Sequence, residues 1–594
     1  MFGKGLARML KGIKTIIWAC LFIVCINQIG YTAEEENNVP AKHNIKVYNT
    51  LTFDDLVNLS KDESYYEQIK AKVDYVLNNP VVDNTLKLDA TVSNIRPELG
   101  PFIRVGSWNI ERGMQIDDMI NIFINNQQIK EKISVENPDA ADIVTQEARY
   151  LSLADIMVFI EVDAGMPRTK YRNIAEYFGE KAGYNYAYGV EFLEIDPAHL
   201  GIADSKWSEE HLLFGDNPPA IIPEKYKGLH GTAIVSRFPL ENVRILRYPE
   251  YYDWYKGEEE RISKTETIKR MASAKIFSEG VIREIRLGSR MALIADAKIP
   301  GLEKPLTVVA THLENRTRPK FRKKQIKMLL NHIKTIDNPV VIAGDFNTDI
   351  ADCSPVNTRK HHNFILRHCK IYNIPRHYII KPIMALPNAL RKHDDPTIRS
   401  IPIFSSNPER GLFNVIRKFE FNDNYHFDFR STPGKYTGKH GNLANSNQRA
   451  YKGFVPTFMF ERPLYVGKFK LDWLFVKAYA DKAKDKHAPF KMAPHYGTTL
   501  FDLNYSFKDS LSDHCPITVD LPINEPPELT KKEIKEIRQV EKQQQRIEKV
   551  QDKKDKQSYK IQKEDKIKAK QNIKDLKKNR KQLKQDIETN KVFD

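Results

Sequence analysis

The strongest constraint in this sequence is a recurring apolar run that stops on a polar side chain capable of chemistry. "VVIAGDFN", Val340 to Asn347, is the sharpest case. Val340 to Ala343 is apolar and rich in β-branched residues, with polar flanks, which is the pattern of a buried strand. Gly344, Asp345, Phe346 and Asn347 follow. Gly, Asp and Asn are ordinary turn residues, so this stretch taken alone is also read as a turn. "FIRVGSWNI", "DIMVFIEV", "GTAIVSRF", "RMALIADAKI", "LTVVATHL", "KLDWLFVKAY" and "CPITVDL" repeat the strand pattern. "YRNIAEYFGEKAG" and "PKFRKKQIKMLLNHIKTI" carry helical periodicity between them. Strands interspersed with helices predict an α/β body that begins near Phe102.

The ends of the chain differ from this body. Lys4, Arg8, Lys11 and Lys14 precede an apolar run from Ile16 to Ile26, and "GYTAEEE" comes next. A charged start, a short apolar stretch and a cleavage zone near Ala33 predict a signal peptide over 1–33. The run is short for a membrane span, which needs roughly 20 residues; an uncleaved anchor is the other reading. Either way an exported location is expected: periplasmic, cell-envelope or secreted. Residues 34–100 read as a helical lead-in, 101–524 as the main domain, and about 350–455 as an insert with few strand signals. Beyond Pro526-Pro527, Lys, Gln and Glu dominate and glycine is absent. Residues 525–594 therefore read as a basic helical tail, with a weak coiled coil as the second reading. The formal net charge is +16, of which residues 1–33 hold +4 and residues 531–594 hold +10, leaving only +2 for the body. A basic composition argues for nucleic acid or anionic surfaces at the ends, not across the fold.

Cysteine usage excludes a disulfide scaffold and a zinc site. Cys353, Cys369 and Cys515 remain beyond the signal, three cannot all pair within one chain, and no CxxC occurs. Cys353 and Cys369 share the insert and are expected near each other, bridged or as two free thiols; Cys515 is expected on a buried strand.

The polar residues at strand ends form a set: Asn109 in "SWNIERG", Glu161 in "FIEV", His312 in "ATHLEN", Asp345 and Asn347 in "GDFN", Asp472 in "LDWLFV", and Asp513-His514 in "SDHCPI". Each has a bland reading singly. Asn109 caps turns, Glu161 pairs with a surface base, His312 sits in a core, and Asp472 or Asp513-His514 starts a strand. Collected, they suit an oxygen-rich Mg²⁺-type site with acid–base partners rather than a thiolate or His-cluster zinc site.

In this order, and with "HGTAIVSRFPL" from His230, the motifs resemble the endonuclease/exonuclease/phosphatase superfamily of metal-dependent phosphoesterases. The resemblance spans about residues 102–522. It implies a four-layer sandwich of two mixed β-sheets flanked by helices. It also implies Mg²⁺ (or Mn²⁺) as cofactor, with Glu161 as principal metal ligand and Asn109 and Asp513 beside it. His514 would be the general base, oriented by Asp472. Asp345 and Asn347 would position nucleophile and phosphoryl group, and His312 would donate to a phosphate oxygen or leaving group. Deoxyribonucleases of this family support the His312 equivalent with a Glu on the "AIVSR" strand. Here that neighbourhood holds His230 and no Glu, and Glu191 in "YGVEFLE" is the substitute.

The expected partner is a phosphodiester substrate, nucleic acid or phospholipid, and the expected activity a nuclease-like phosphodiesterase. Trp473 after Asp472 disfavours inositol 5-phosphatases, which carry an Asp-Arg at that point. "YPEYYDWYKG", Tyr248 to Gly257, would be a membrane-entering patch in a sphingomyelinase-like enzyme, a base-stacking surface, or core. A non-catalytic envelope binding or scaffold protein is the reading from another class. The tail is expected to bind anionic surfaces or polyanions, and nothing in the sequence fixes the oligomeric state.

Overall fold

Strands covered on both faces read as unbroken apolar runs, and the chain is built on that plan. This computed structural model describes residues 42–525 apart from 63, 86–90, 98, 196–220, 257–284, 349–409, 430–456, 460–467 and 481–489, together with 535 and 539. In chain order the first strands are β1 (Lys42–His43), β2 (Val81–Asp83), β3 (Ile95–Arg96), β4 (Gly100–Arg112), β5 (Ile156–Ala164), β6 (Asn185–Glu194), β7 (Leu229–Ser236) and β8 (Leu240–Arg247). They continue with β9 (Arg286–Gly288), β10 (Met291–Ala297), β11 (Leu306–Thr311), β12 (Val340–Asp345), β13 (Phe458–Met459), β14 (Lys468–Phe469), β15 (Asp472–Lys477), β16 (His495–Thr499) and β17 (Ile517–Pro522). One sheet runs β1-β2-β6-β7-β5-β4-β17-β16, with β3 on β4 and β9 on β6; the other runs β15-β12-β11-β10-β8. β4 and β5 are parallel, as are β11 and β12, while β15 and β17 run antiparallel to their neighbours, so both sheets are mixed.

Side-chain alternation divides the core into three slabs. Val105, Ile156, Val158, Ile160 and Ile234 point from the first sheet towards Leu293, Val308, Val341, Ala343 and Leu474 of the second. The opposite face of the first sheet, with Trp108, Met157, Phe159 and Tyr188, is covered by helical residues. These include Val73 and Val76 of α2 (Tyr65–Asn78), Ile120 of α3 (Ile116–Ile124), Ala148 of α5 (Ala141–Ser152) and Phe178 of α6 (Ile174–Ala182). The preceding α1 (Phe53–Lys61) starts at a capping box of Thr52 and Asp55, and α4 spans Asn126–Glu136. The outer face of the second sheet, with Val309, Ile342 and Phe475, packs on Ile326, Leu329 and Ile333 of α7 (Pro319–Ile333) and on Phe413 and Ile416 of α8 (Arg410–Arg417). The layers are helix, sheet, sheet, helix, the expected four-layer sandwich.

Three details differ from the sequence reading. The lead-in is not helical throughout: β2 pairs antiparallel with β6 and extends the first sheet. Its Val-Val-Asp run is too short to declare itself by alternation. β6 itself was legible only as a place for Glu191, because its tyrosines and glycine blur the strand signal. Cys515 is buried and free, but it lies in the extended segment before β17 rather than on the strand. Residues 1–33, Cys353, Cys369 and all of the tail but Glu525, 535 and 539 lie outside the described residues.

The sandwich also sets where the functional side chains emerge. Parallel β4, β5, β11 and β12 end at one rim, and antiparallel β15 and β17 begin there. Across β12 and β15 the register places Asp345 opposite Asp472. Gly344 makes this rim possible. Its φ is +144°, and a Cβ there would lie 2.0 Å from the Thr311 carbonyl oxygen of β11. Gly344→Ala should therefore lower stability by ~1–3 kcal/mol. Calorimetry would read it as a reduced melting midpoint; an unchanged midpoint would mean that β12 and β11 can separate freely at this point.

Candidate active site

Asp472 opens β15 and His514 precedes β17, so the two arrive from different sheets. His514 Nδ1 lies 2.8 Å from Asp472 Oδ2. Both partners are pinned by their backbones. The Thr457 hydroxyl accepts from the Leu471 and Asp472 N–H groups at 2.9 and 3.1 Å, and the Thr457 carbonyl accepts from Cys515 N–H at 2.7 Å. The His514 carbonyl accepts from Trp108 Nε1 at 2.8 Å, and the Phe458 ring packs 5.0 Å from the imidazole. His514 Nε2 is left 3.8 Å from Asp345 Oδ2. Burial opposes charging of His514, but the negative charges of Asp472, Asp513 and Asp345 overcome it and hold its pKa well above the usual histidine range.

Asp345 and Asn347 form a tight turn beyond β12. Asn347 has φ +47°, and its N–H donates to Asp345 Oδ1 at 2.7 Å. This left-handed turn folds the Asn347 side chain back beside His312. Its Nδ2 donates to the Leu313 carbonyl at 3.0 Å and approaches Asp345 Oδ2 at 3.4 Å and His312 Nε2 at 3.1 Å. Asn109 Nδ2 reaches the same Asp345 oxygen at 3.4 Å. His312 Nε2 is 3.6 Å from it. Burial and the positive charge of Arg290 hold the His312 pKa well below the usual range.

Glu161 sits on a β-bulge. Its φ is +58°, and the pairing of β5 with β7 slips between Ile160 and Val162. A bulge re-aims one side chain out of the regular alternation, and here it turns a carboxylate out of a strand that is otherwise buried. On β4 the register likewise slips between Asn109 and Arg112, and Glu111 has φ +46°. Glu111 was not picked out in the sequence, although it stands two residues after Asn109 within the same motif. Glu111, Glu161 and Asp513 are half-exposed around the buried Asn109, Asp345, Asp472 and His514.

These acids push one another up. Removal from solvent and the charges of Asp513 and Glu161 raise the Glu111 pKa to about 8. Burial, Asp472 and Glu161 raise Asp345 to about 7 against the opposing effect of His514. Asp513 is raised by burial and Glu161. Crowded carboxylates of this kind form an oxygen donor set that fits a hard divalent cation. Among the described residues, Asp345, Asp472 and His514 also bring one ligand atom each within 4.8 Å of one another. Two of those groups are already joined by the 2.8 Å hydrogen bond, and Glu111, Glu161 and Asp513 interact with one another through their charges.

One expectation needs correction, and the readings left open for the aromatic patch narrow towards core. Glu191 does not support His312 directly: its Oε2 is 3.7 Å from His312 Nδ1. Arg290 Nη1 stands between them, 2.6 Å from Glu191 Oε2 and 2.7 Å from His312 Nδ1. An arginine from the turn before β10 had no signal in the strand-end pattern. Nor is the aromatic patch a protruding one. Tyr248 and Trp254 are buried, Trp254 Nε1 donates to Glu314 at 3.1 Å, and Tyr251 stacks on Phe321 at 4.8 Å. His230 is bound to Asp163 at 2.9 Å, which also takes Arg168 at 2.6 Å.

Residues 106–368 match the sequence profile of the Endonuclease/Exonuclease/phosphatase family. The chain carries an endonuclease/exonuclease/phosphatase domain. The matched stretch contributes most of β4 and all of β5 to β12; β1 to β3 precede it, and β15, β16 and β17 follow it in the two sheets. Solved structures are similar to this chain at low identity and low TM-score. An endonuclease/exonuclease/phosphatase from Beutenbergia cavernae is 15% identical with a TM-score of 0.34, over 71% of this chain and 72% of that one. A 3'-5' exonuclease from Neisseria meningitidis is 11% identical with a TM-score of 0.33, over 70% of this chain and 99% of the other. The human Nocturnin catalytic domain is 14% identical with a TM-score of 0.31, over 71% and 93%. No curated protein matches the chain in sequence.

The pKa shifts of this domain give stability a defined slope. An acid raised on folding keeps its proton in the folded chain after the unfolded chain has lost it, so stability falls as pH climbs from the unfolded value through the folded one. A histidine raised on folding contributes stability that is complete below about 6.5 and lost as pH rises through the folded value. His312, held low, is neutral in both states above about 6.5 and adds no slope there. Glu111 and His514 thus act together between about pH 6.5 and 8, with Asp345 joining over the lower half, and Asp513 is shifted in the same direction. In EDTA the melting midpoint should fall across that window, and millimolar Mg²⁺ should flatten the fall. A midpoint that rises with pH in EDTA would contradict the clustering of these charges.

Proposed function

We propose that this chain is a metal-dependent phosphoesterase, acting as a nuclease-like phosphodiesterase with a water activated by His514. The observation that carries this reading is the Asp472–His514 pair, whose free Nε2 faces Asp345 inside a ring of carboxylates with raised pKa values. In this reading Glu161, Asp513 and Asn109, with Glu111 beside them, hold Mg²⁺ or Mn²⁺. Such a cation would neutralise charge on the phosphate oxygens.

The chain's own residues do the rest. In its neutral form, which the raised pKa makes dominant only as pH climbs, His514 keeps on Nδ1 the proton that Asp472 fixes and has a lone pair on Nε2, which takes a proton from the attacking water. The imidazolium that forms is stabilised by the Asp472 charge beside it. Asp345 and Asn347, locked to each other by the turn, orient the water and the phosphoryl group. His312 lies on the far side of Asp345 and offers a hydrogen bond to a phosphate or leaving oxygen. Burial of Tyr248 and Trp254 removes the main motive for a membrane-entering sphingomyelinase, which favours nucleic acid among diesters. We place the enzyme in an exported compartment, with the basic tail holding it near anionic surfaces or polyanions.

Hydrolysis of bis-p-nitrophenyl phosphate, DNA, RNA and sphingomyelin with Mg²⁺ or EDTA tests the reading. EDTA should abolish turnover and Mg²⁺ or Mn²⁺ restore it; full activity in EDTA refutes the metal, and no turnover on any substrate favours the scaffold reading. His514→Ala and Asp472→Asn should each lower kcat by about 10²–10⁴. The double variant should lose far less than the product of the two, whereas multiplicative losses would separate them.

Truncation tests the tail separately. Glu525 belongs to the body, since its carboxylate accepts from Phe490 N–H at 3.1 Å and lies 3.2 Å from His495 Nε2. A chain ending at Glu525 should keep kcat on the small diester within about twofold while losing salt-sensitive binding to polyanions. An inactive truncated chain would give the tail a structural role instead.

A further inference from the structure

The two histidines at the rim meet opposite partners at the same ring atom. His514 Nδ1 faces the Asp472 carboxylate at 2.8 Å, and an ionised carboxylate only accepts. His312 Nδ1 faces the Arg290 guanidinium at 2.7 Å, and a guanidinium only donates. A neutral imidazole carries one proton, so the partner at Nδ1 decides what Nε2 offers. Both Nε2 atoms look at one oxygen, Asp345 Oδ2, from 3.8 Å for His514 and 3.6 Å for His312.

We propose that Arg290 is a positioning residue that fixes His312 in the Nε2–H tautomer, so that the site holds two histidines of opposite sense: one accepting at Nε2, the other donating.

The surroundings of Arg290 fit this assignment. It is buried, lies 5.1 Å from the Phe192 ring centroid, and is bound by Glu191 Oε2 at 2.6 Å. Glu191 Oε1 accepts from the Thr232 hydroxyl, so both Glu191 oxygens are engaged and neither takes a proton from His312. Asn347 Nδ2 also stands 3.1 Å from His312 Nε2, but its two amide protons have other acceptors in the Leu313 carbonyl at 3.0 Å and Asp345 Oδ2 at 3.4 Å. The Nε2 proton is then free to point at Asp345 and, in the phosphoesterase reading on which this consequence rests, at a phosphate oxygen. A carboxylate in direct contact with His312 Nδ1 would reverse the tautomer and put a second base where a donor is needed.

The test reads the tautomer in the resting full-length protein. Imidazole ¹H–¹⁵N correlation on histidine-labelled protein, with the His312 ring assigned through His312→Gln, should show a protonated Nε2 and a bare Nδ1. A protonated His312 Nδ1 overturns the proposal whether or not the protein hydrolyses anything. Arg290→Met combined with Glu191→Gln removes the pair without stranding a charge. It should shift His312 towards Nδ1–H and lower kcat on bis-p-nitrophenyl phosphate by about 10²-fold, with KM changed far less. Arg290→Lys, which retains a donor, should recover the tautomer and part of kcat. Loss of kcat with the His312 tautomer unchanged would give Arg290 another role. A wild-type protein with the expected tautomer and no turnover would fail the phosphoesterase reading alone.

Discussion

Everything at the rim depends on one packing contact, the face-to-face burial of the two sheets. Asn109 and Glu161 lie in the first sheet and His514 just before its β17; Asp345 and Asp472 lie in the second and His312 just after its β11. Neither sheet alone holds the Asp472–His514 pair. The pair exists because Val105, Val158 and Ile160 interlock with Val308, Val341 and Leu474 and fix how far the strand ends slide past each other. Side chains in such a core sit at close-packed density, so a small slip of one sheet would be felt at the His514–Asp472 hydrogen bond. The interior apolar contact and the polar rim are one construction.

The rim carries the opposite physics. Several acids crowd one another there, and three residues at or beside them, Glu111, Glu161 and Asn347, hold left-handed backbone. Strain of this kind costs about 1–3 kcal/mol per residue and persists only where surrounding structure imposes it. The bulges that produce it lie in β4 and β5, the central parallel pair, where hydrogen bonds on both sides leave little freedom. Stability supplied by the three apolar slabs is spent here on holding like charges at a fixed separation.

Much of this was legible in the sequence. The strands that carry the site announced themselves because burial on both faces demands apolar runs, and the polar residue ending each run marks the rim. Asn109, Glu161, His312, Asp345, Asn347, Asp472, Asp513 and His514 follow from that single pattern. Glu111 was missed because the pattern assumes regular alternation, and a bulge breaks it. Arg290 was missed because it enters from a turn, and its importance lies in a side-chain contact to a residue on a different strand. The burial of Trp254 depends on Glu314 and Arg286, which no local periodicity connects to it. Periodicity reports which face a residue occupies, not which partner it finds there.

The register of β12 and β15 has a consequence for how this domain can change over evolutionary time. Asp345 and Asp472 are cross-strand partners, so the stretch 346–471 leaves the fold and rejoins it at adjacent points, roughly 5 Å apart as in any antiparallel pair. Within it, Thr457 and Phe458 return to clamp the two residues that form the acid–histidine pair. The excursion is therefore a cassette. Asn347 at its start, α8 on the outer face of the second sheet, and Thr457 and Phe458 near its end are tied to the body, so change is tolerated only between those anchors. Selection for new substrates can act on that cassette while the rim beneath it stays constant.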